Sequence, residues 1–406
     1  MLGNFEILLA IATLVTVALL MRPFDMRLRI LFLLIILVRF ALMWWLTTSL
    51  IRQTGSPLNF DAAIDDQKYY YQSAQFATKS PFDITINDCI AAADGSRQYG
   101  YHCLLVILWT LTPNPILPAQ FLKEALFFCG LVLLARTWLR MYGRRLAAIG
   151  LFFLATVFTP AFYYNYRNQK DGLLLGLFLL IMATVDYVFW LQANSLATRR
   201  KMFTLWLVAG TLIYAVFVIR LYTGVIILVA LLLHVFMASR LRMVWRLVSL
   251  ASILAISLIA LQLGLVRDAL ELGESVSSPR EFEGVFLLQG FLSPLPWNDG
   301  LPAGLAVYYW VYWLLLPYAL VALARNFRKR VGWHLFLYVM IYYIVAGPVG
   351  DPPRKRLIVH PILVSWILAD WHSRRRATAG GGRLAQNLGE VPMVRVPFVV
   401  PSPESR

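Results

Sequence analysis

Three short charged knots interrupt an otherwise apolar chain, and their residue types suit group transfer from a phosphate. Residues 60–71 read FDAAIDDQKYYY, residues 163–171 read YYNYRNQKD, and residues 351–356 read DPPRKR. A carboxylate such as Asp65 or Asp66 can take a proton from an attacking hydroxyl. A second acid, Asp66 or Asp171, can orient the first or hold a divalent cation such as Mg2+ or Mn2+. Guanidinium and ammonium groups at Arg167, Lys170, Arg220, Arg354, Lys355 and Arg356 can meet the charge of a departing phosphate. Tyr69, Tyr70 and Tyr71 follow the acids at once. They serve either as interfacial anchors or as sugar contacts.

Each group has a structural reading beside the chemical one. Asp61, Asp65 and Asp66 suit the first turn of a helix, where the dipole favours acids. In that helix Asp65 lies above Tyr69 and Asp66 above Tyr70. Asp171 opens an apolar run and either caps it, paired with Lys170 or Arg167, or acts as the second site acid. Arg220 sits between two apolar runs and is expected to snorkel to the surface. The 351–356 knot breaks the positive-inside trend, which an anionic lipid phosphate would explain.

The elements that must position these knots are membrane helices. The 406 residues are 60% hydrophobic and 14% charged, so the bilayer is the expected solvent. A formal charge of +16 is spread in short Arg clusters and forms no basic domain, so no nucleic-acid partner is expected. Apolar stretches able to span occur at 5–21, 29–50, 118–138, 146–162, 172–192, 203–219, 223–238, 247–265, 303–323, 333–349 and 357–371. Basic clusters at 22–29, 136–145, 199–201, 240–246, 325–330 and 374–376 fall between alternate pairs of them. With those clusters cytoplasmic, the N-terminus lies outside and the C-terminus inside. Fifteen of the 21 acids, Glu124 and Asp171 among them, then fall in the outer connections or at their margins.

The expected fold is thus an all-α polytopic membrane protein of about eleven transmembrane helices, plus one re-entrant or juxtamembrane half-helix. Residues 101–112 supply that half-helix, because a dozen apolar residues ending in Pro113-Asn114-Pro115 are too few to cross. The first span is read as retained, not as a cleaved signal, because its positive flank follows the apolar run. Residues 1–372 form the transmembrane domain, with outer loops 51–117 and 266–302 roofing a site. Residues 373–406 form a disordered cytoplasmic tail, Gly/Pro-rich from about residue 377. Cys89 and Cys103 share the outer side, either bridged or as two thiols, and no HExxH, CxxC or P-loop spacing occurs. The ionisable residues crowd the outer ends of the spans, which argues against a midplane transport path.

The order of these elements resembles a known group. Asp65-Asp66-Gln67-Lys68-Tyr69-Tyr70-Tyr71 resembles the first-loop motif of GT-C class polyprenyl-phosphate-sugar glycosyltransferases. Asn168-Gln169-Lys170-Asp171 and Ile219-Arg220-Leu221-Tyr222 resemble the KD and R-x-Y elements of multi-span bacterial polysaccharide polymerases. Arg354-Lys355-Arg356 before LIVHPILVSWILADW resembles the basic residue and final span of the same group. The resemblance implies a GT-C-like fold in the bacterial inner (plasma) membrane, with a periplasm-facing site. It also implies a polyprenyl-phosphate-linked sugar donor, a glycan or lipid acceptor, and Asp65 or Asp66 as catalytic base. The chain departs from the usual plan in having a span before the acidic loop. Competing expectations are a lipid-linked-sugar flippase and a non-catalytic subunit of an envelope polysaccharide assembly complex.

Overall fold

In the computed structural model the described residues are 4–57, 64–93, 99–167, 169–194, 196, 198–238, 303–327 and 357–379. Among them every regular element is helical. In chain order these are α1 (Asn4–Leu20), α2 (Met26–Thr54), α3 (Ile64–Ala74), α4 (Ile86–Ala92), α5 (Gly100–Leu111), α6 (Ile116–Tyr142) and α7 (Arg144–Phe152). There follow α8 (Thr159–Tyr166), α9 (Asp171–Ala193), α10 (Arg199–Ile219), α11 (Leu221–Ala238), α12 (Ala303–Phe327) and α13 (His360–Ala379). Backbone polar groups cannot stay bare in hydrocarbon, so long apolar runs close their hydrogen bonds within themselves as helices.

Five helices among the described residues are long and apolar enough to cross a membrane: α2, α6, α9, α10 and α12. They cover the expected spans at 29–50, 118–138, 172–192, 203–219 and 303–323. The stretch at 146–162 is bent: α7 runs into a π-helical turn, Phe153–Val157, and meets α8 at 47° across Phe158. Counted as one span, it makes six. The stretches at 5–21, 223–238 and 357–371 fall on α1, α11 and α13, whereas 247–265 and 333–349 lie outside the described residues. α13 continues to Ala379, so helix covers residues 373–379, where the tail was expected to begin.

α6 and α9 form the centre of the bundle. They cross where Gly130 faces Leu179 and Gly176 faces Leu126; a Cβ on either glycine would come within 2.8 Å of the opposing side chain. Small residues at a membrane-helix crossing let the two backbones approach, and dispersion contacts over that surface replace the missing hydrophobic drive. Phe127, Phe128, Leu131, Leu175 and Leu179 are fully buried there. α2, α10 and α12 instead turn Leu34, Leu37, Phe203, Leu207, Val307 and Leu314 outward, as lipid-facing helices do.

The basic clusters gather at one end of the bundle. Arg144 pairs with Asp25 at 2.7 Å, which joins the 136–145 cluster to the 22–29 cluster: Arg22 in the connection, Arg27 and Arg29 in the first turn of α2. Arg140 and Lys201 both lie over the Tyr187 ring, at 4.5 and 5.3 Å. Asp370 receives Arg325 at 3.7 Å and Arg374 at 2.8 Å, and Tyr142 meets His372 at 5.8 Å. The 240–246 cluster and residues 328–330 lie outside the described residues. α6, 27 residues long, then sets the separation of the two ends at about 40 Å.

Among its described residues the acidic loop folds into three short α-helices and a single 3-10 turn, Pro81–Asp83. α5 is the expected half-helix, 12 residues ending at Leu111 with Thr112 as its cap. Pro118 lies in the first turn of α6, where no intrahelical N–H is required. Cys89 and Cys103 are disulfide-bonded, tying α4 to α5. Thr85 and Asp88 form a capping box on α4, and Lys79, 2.6 Å away, holds the Asp88 carboxyl down to about 2. Replacing Cys89 or Cys103 by Ser should cost about 3 kcal/mol of local stability, from the closure entropy of a loop this short. Hydrogen exchange of the α4 and α5 amides measures it; equal protection with and without reductant would contradict the estimate.

Candidate functional site

The end of the bundle opposite the basic clusters collects the polar residues. The connection between α8 and α9 descends into protein, so its carbonyls need buried donors. α6 supplies them. Lys123, fully buried, donates through Nζ to the carbonyls of Arg167 and, at 3.4 Å, Gln169. Gln120 donates to the Tyr166 carbonyl at 2.5 Å and accepts from Thr47 of α2 at 2.9 Å. A cation beside the last carbonyls of α8 also suits the negative end of that helix.

Asp171 opens α9, and Arg220 caps the C-terminus of α10. They pair at 2.7 Å, both buried. Each charge complements the dipole of its own helix, so the pair and the two helix ends reinforce each other. This corrects one expectation: Arg220 turns inward and does not snorkel, and it supplies Asp171 with a counter-ion from the next helix.

α3 meets the same region. Tyr69 is buried against Tyr101 at 5.2 Å and His102 at 4.9 Å, and Lys170 Nζ lies 5.8 Å from its ring centre. His102 shares a hydrogen bond of 3.1 Å with Gln72. Tyr70 packs on Trp109, and burial, helped by the neighbouring Tyr71, pushes its hydroxyl pKa up. Tyr71 faces outward. Arg167 donates to the Tyr163 hydroxyl at 2.8 Å and lies over that ring.

Of the residues singled out in the sequence, Tyr69, Lys170, Arg167, Asp171 and Arg220 therefore sit at one end of the bundle. Asp65 and Asp66 lie in the first turn of α3, one turn before Tyr69 and Tyr70, but their side chains are outside the described residues. Asp61 and the whole 351–356 knot, with Arg354, Lys355 and Arg356, are outside them too. Among the described residues no three metal-ligating side chains converge, and the Asp171 charge is already met by Arg220. No step involving Mg2+ or Mn2+ is derived from these groups.

The larger surprise is deeper in the bundle. Arg39, midway along α2, pairs with Glu124 of α6 at 2.6 Å. Its second nitrogen donates to the Ala155 carbonyl at 3.2 Å, in the π-helical turn. The rings of Phe127, Phe128 and Phe162 surround the guanidinium at 5.1–5.2 Å. Asn165 stands beside Glu124, and a Cβ on Gly172 would fall 2.0 Å from its Oδ1, so only glycine lets α8 and α9 close here. Glu124 is thus an interior acid, not one at an outer margin, and ionisable groups do not all crowd the span ends. The signal was available: Arg39 lies ten residues into the expected span at 29–50, and Lys123-Glu124 lie within the one at 118–138.

Comparisons with family models, curated proteins and solved structures gave no match.

Proposed function

We propose that this protein is a multi-pass glycosyltransferase of the membrane, moving a sugar or oligosaccharide from a polyprenyl-phosphate-linked donor to a glycan or lipid-linked acceptor. The supporting observation is the 5.8 Å approach of Lys170 to Tyr69, one turn beyond Asp65. It joins the acid-bearing start of α3 to the cation-bearing connection before α9. In the proposed topology about eleven helices cross the bacterial inner membrane, with the N-terminus and the site outside and the basic end cytoplasmic. The Cys89–Cys103 bridge suits an oxidising exterior.

The proposed step is a single displacement. Asp65, with Asp66 next to it in the first turn, takes the proton of the acceptor hydroxyl. The hydroxyl oxygen forms its bond to the anomeric carbon as the bond from that carbon to the phosphate oxygen breaks. The lipid phosphate leaves with the electron pair, its charge met by Lys170 and Arg167 and by the basic residues at 354–356. Arg220 is committed to Asp171, so this pair is assigned to positioning the start of α9.

The test replaces Asp65 and Asp66 separately by Asn and measures glycan synthesis in cells with protein levels verified. Loss of a general base is expected to lower the rate by about 10²- to 10⁴-fold in one of the two variants. Full synthesis in both would remove the enzyme reading. A second reading, a lipid-linked-sugar flippase, draws support from the Arg39–Glu124 pair within the spans and the broken span at Phe158. It predicts that both variants still carry the lipid-linked sugar across vesicles.

A further inference from the structure

At the end of the bundle opposite the candidate site, two helices bring cations to an aromatic platform on a third. Tyr187 and Trp190, in the last two turns of α9, stack at 5.9 Å with their planes 14° apart. Arg140, in the last turn of α6, lies 4.5 Å from the Tyr187 ring centre and 5.6 Å from that of Trp190. Lys201, in the first turn of α10, lies 5.3 Å from the same Tyr187 ring. Arg136 precedes Arg140 by one helical turn. Among the described residues no carboxylate forms an ion pair with Arg136, Arg140 or Lys201.

Like charges gathered at one ring repel, and Lys201 adds to a first turn that already holds Arg199 and Arg200. The ring quadrupole offsets only part of this, and the nearest acid in the chain, Asp186, is buried one residue before Tyr187. The cluster lies at the ends of helices long and apolar enough to cross a membrane, the position where Tyr and Trp are enriched between hydrocarbon and water. A diffuse basic surface would spread its cations, whereas here they come from separate helices onto one stacked pair.

We infer that Arg136, Arg140, Lys201, Tyr187 and Trp190 form a binding site for the phosphate headgroup of an anionic phospholipid. The phosphate completes the charge balance, and the aromatic pair fixes its depth against the acyl chains. The site is independent of the sugar-transfer reading, being at the other end of α6.

The test uses the full-length protein, stripped of lipid in neutral detergent and then offered phosphatidylglycerol, phosphatidylcholine or inorganic phosphate. Retained lipid is counted by native mass spectrometry, with thermal unfolding read in parallel. Wild type is expected to retain phosphatidylglycerol over phosphatidylcholine. Arg140→Gln and Lys201→Gln should each reduce that retention about fivefold, as loss of one cation at an anionic surface does. Arg199→Gln removes the same charge from a residue with no contact to the aromatic pair in the described geometry, and should change retention little. Equal retention of the two lipids overturns the inference. So does an equal fall in all three variants, which would mean only general surface charge. Stabilisation by inorganic phosphate with no lipid preference would overturn the lipid assignment as well. Should Arg140→Gln fail to fold, the exposed Lys201 decides the matter.

Discussion

Glu124→Gln is expected to destabilise the bundle by about 3–5 kcal/mol, the cost of stranding one member of a buried ion pair. Arg39 would keep the Ala155 carbonyl and its three aromatic faces but lose the charge that makes its burial tolerable. At an effective dielectric of about 20, opposite charges near 4 Å apart attract by about 4 kcal/mol. Desolvation consumes much of that attraction when the pair is intact. The pair is therefore worth far less than the loss of either member. Arg39→Met together with Glu124→Met should accordingly be milder than either single change. Thermal unfolding in detergent, with secondary structure followed by circular dichroism, gives the comparison. If the two single losses simply add in the double variant, the pair is not coupled and this account of the α2–α6 contact is wrong.

Asp171→Asn is the second large effect expected, and on the proposed transferase reading it reaches function as well as stability. Arg220 would be left buried without its carboxylate, at a cost of about 3–5 kcal/mol again. Asp171 is the first residue of α9, and Lys170 precedes it against Tyr69. Loosening that turn should shift the cation away from α3. The exchanged pair, Asp171→Arg with Arg220→Asp, provides the sharper measurement. It preserves the Coulomb attraction but sets each charge against its helix dipole, at the N-terminus of α9 and the C-terminus of α10. The exchange is thus expected to rescue stability only in part, and to rescue transfer less than stability. Unfolding temperature and glycan synthesis, read on the same variants, separate the two. Complete recovery of both by the exchanged pair would show that the dipoles contribute nothing here.

Much of the fold was legible because a bilayer simplifies the question. Length and hydropathy placed five of the expected spans on helices able to cross, and the short run at 101–112 on the 12-residue α5. The alternation of basic clusters anticipated that those at 22–29, 136–145, 199–201, 325 and 374 would meet at one end. The knots at 60–71 and 163–171 were visible as charges that hydrocarbon would reject. The bend at Phe158 was not. Pro160 announces only a helix start, and the π-helical turn before it is held by Arg39 from a helix more than a hundred residues earlier.

What the residues alone determined about this protein is which of the described segments are helical and which of those are apolar enough to cross a membrane, which helix ends lie together, and where polar groups interrupt them. Those follow from one-dimensional quantities: run length, charge count and the order of breaks. Partnership followed from none of them. Asp171 meets Arg220, 49 residues on and in the next helix, and Arg39 meets Glu124, 85 residues away. A helix that is apolar all round carries no stripe to say which face turns inward or how deep it sits against its neighbours. Rotation and depth are set by close contacts such as Gly130 and Gly176 at the α6–α9 crossing, and only the packed bundle specifies those.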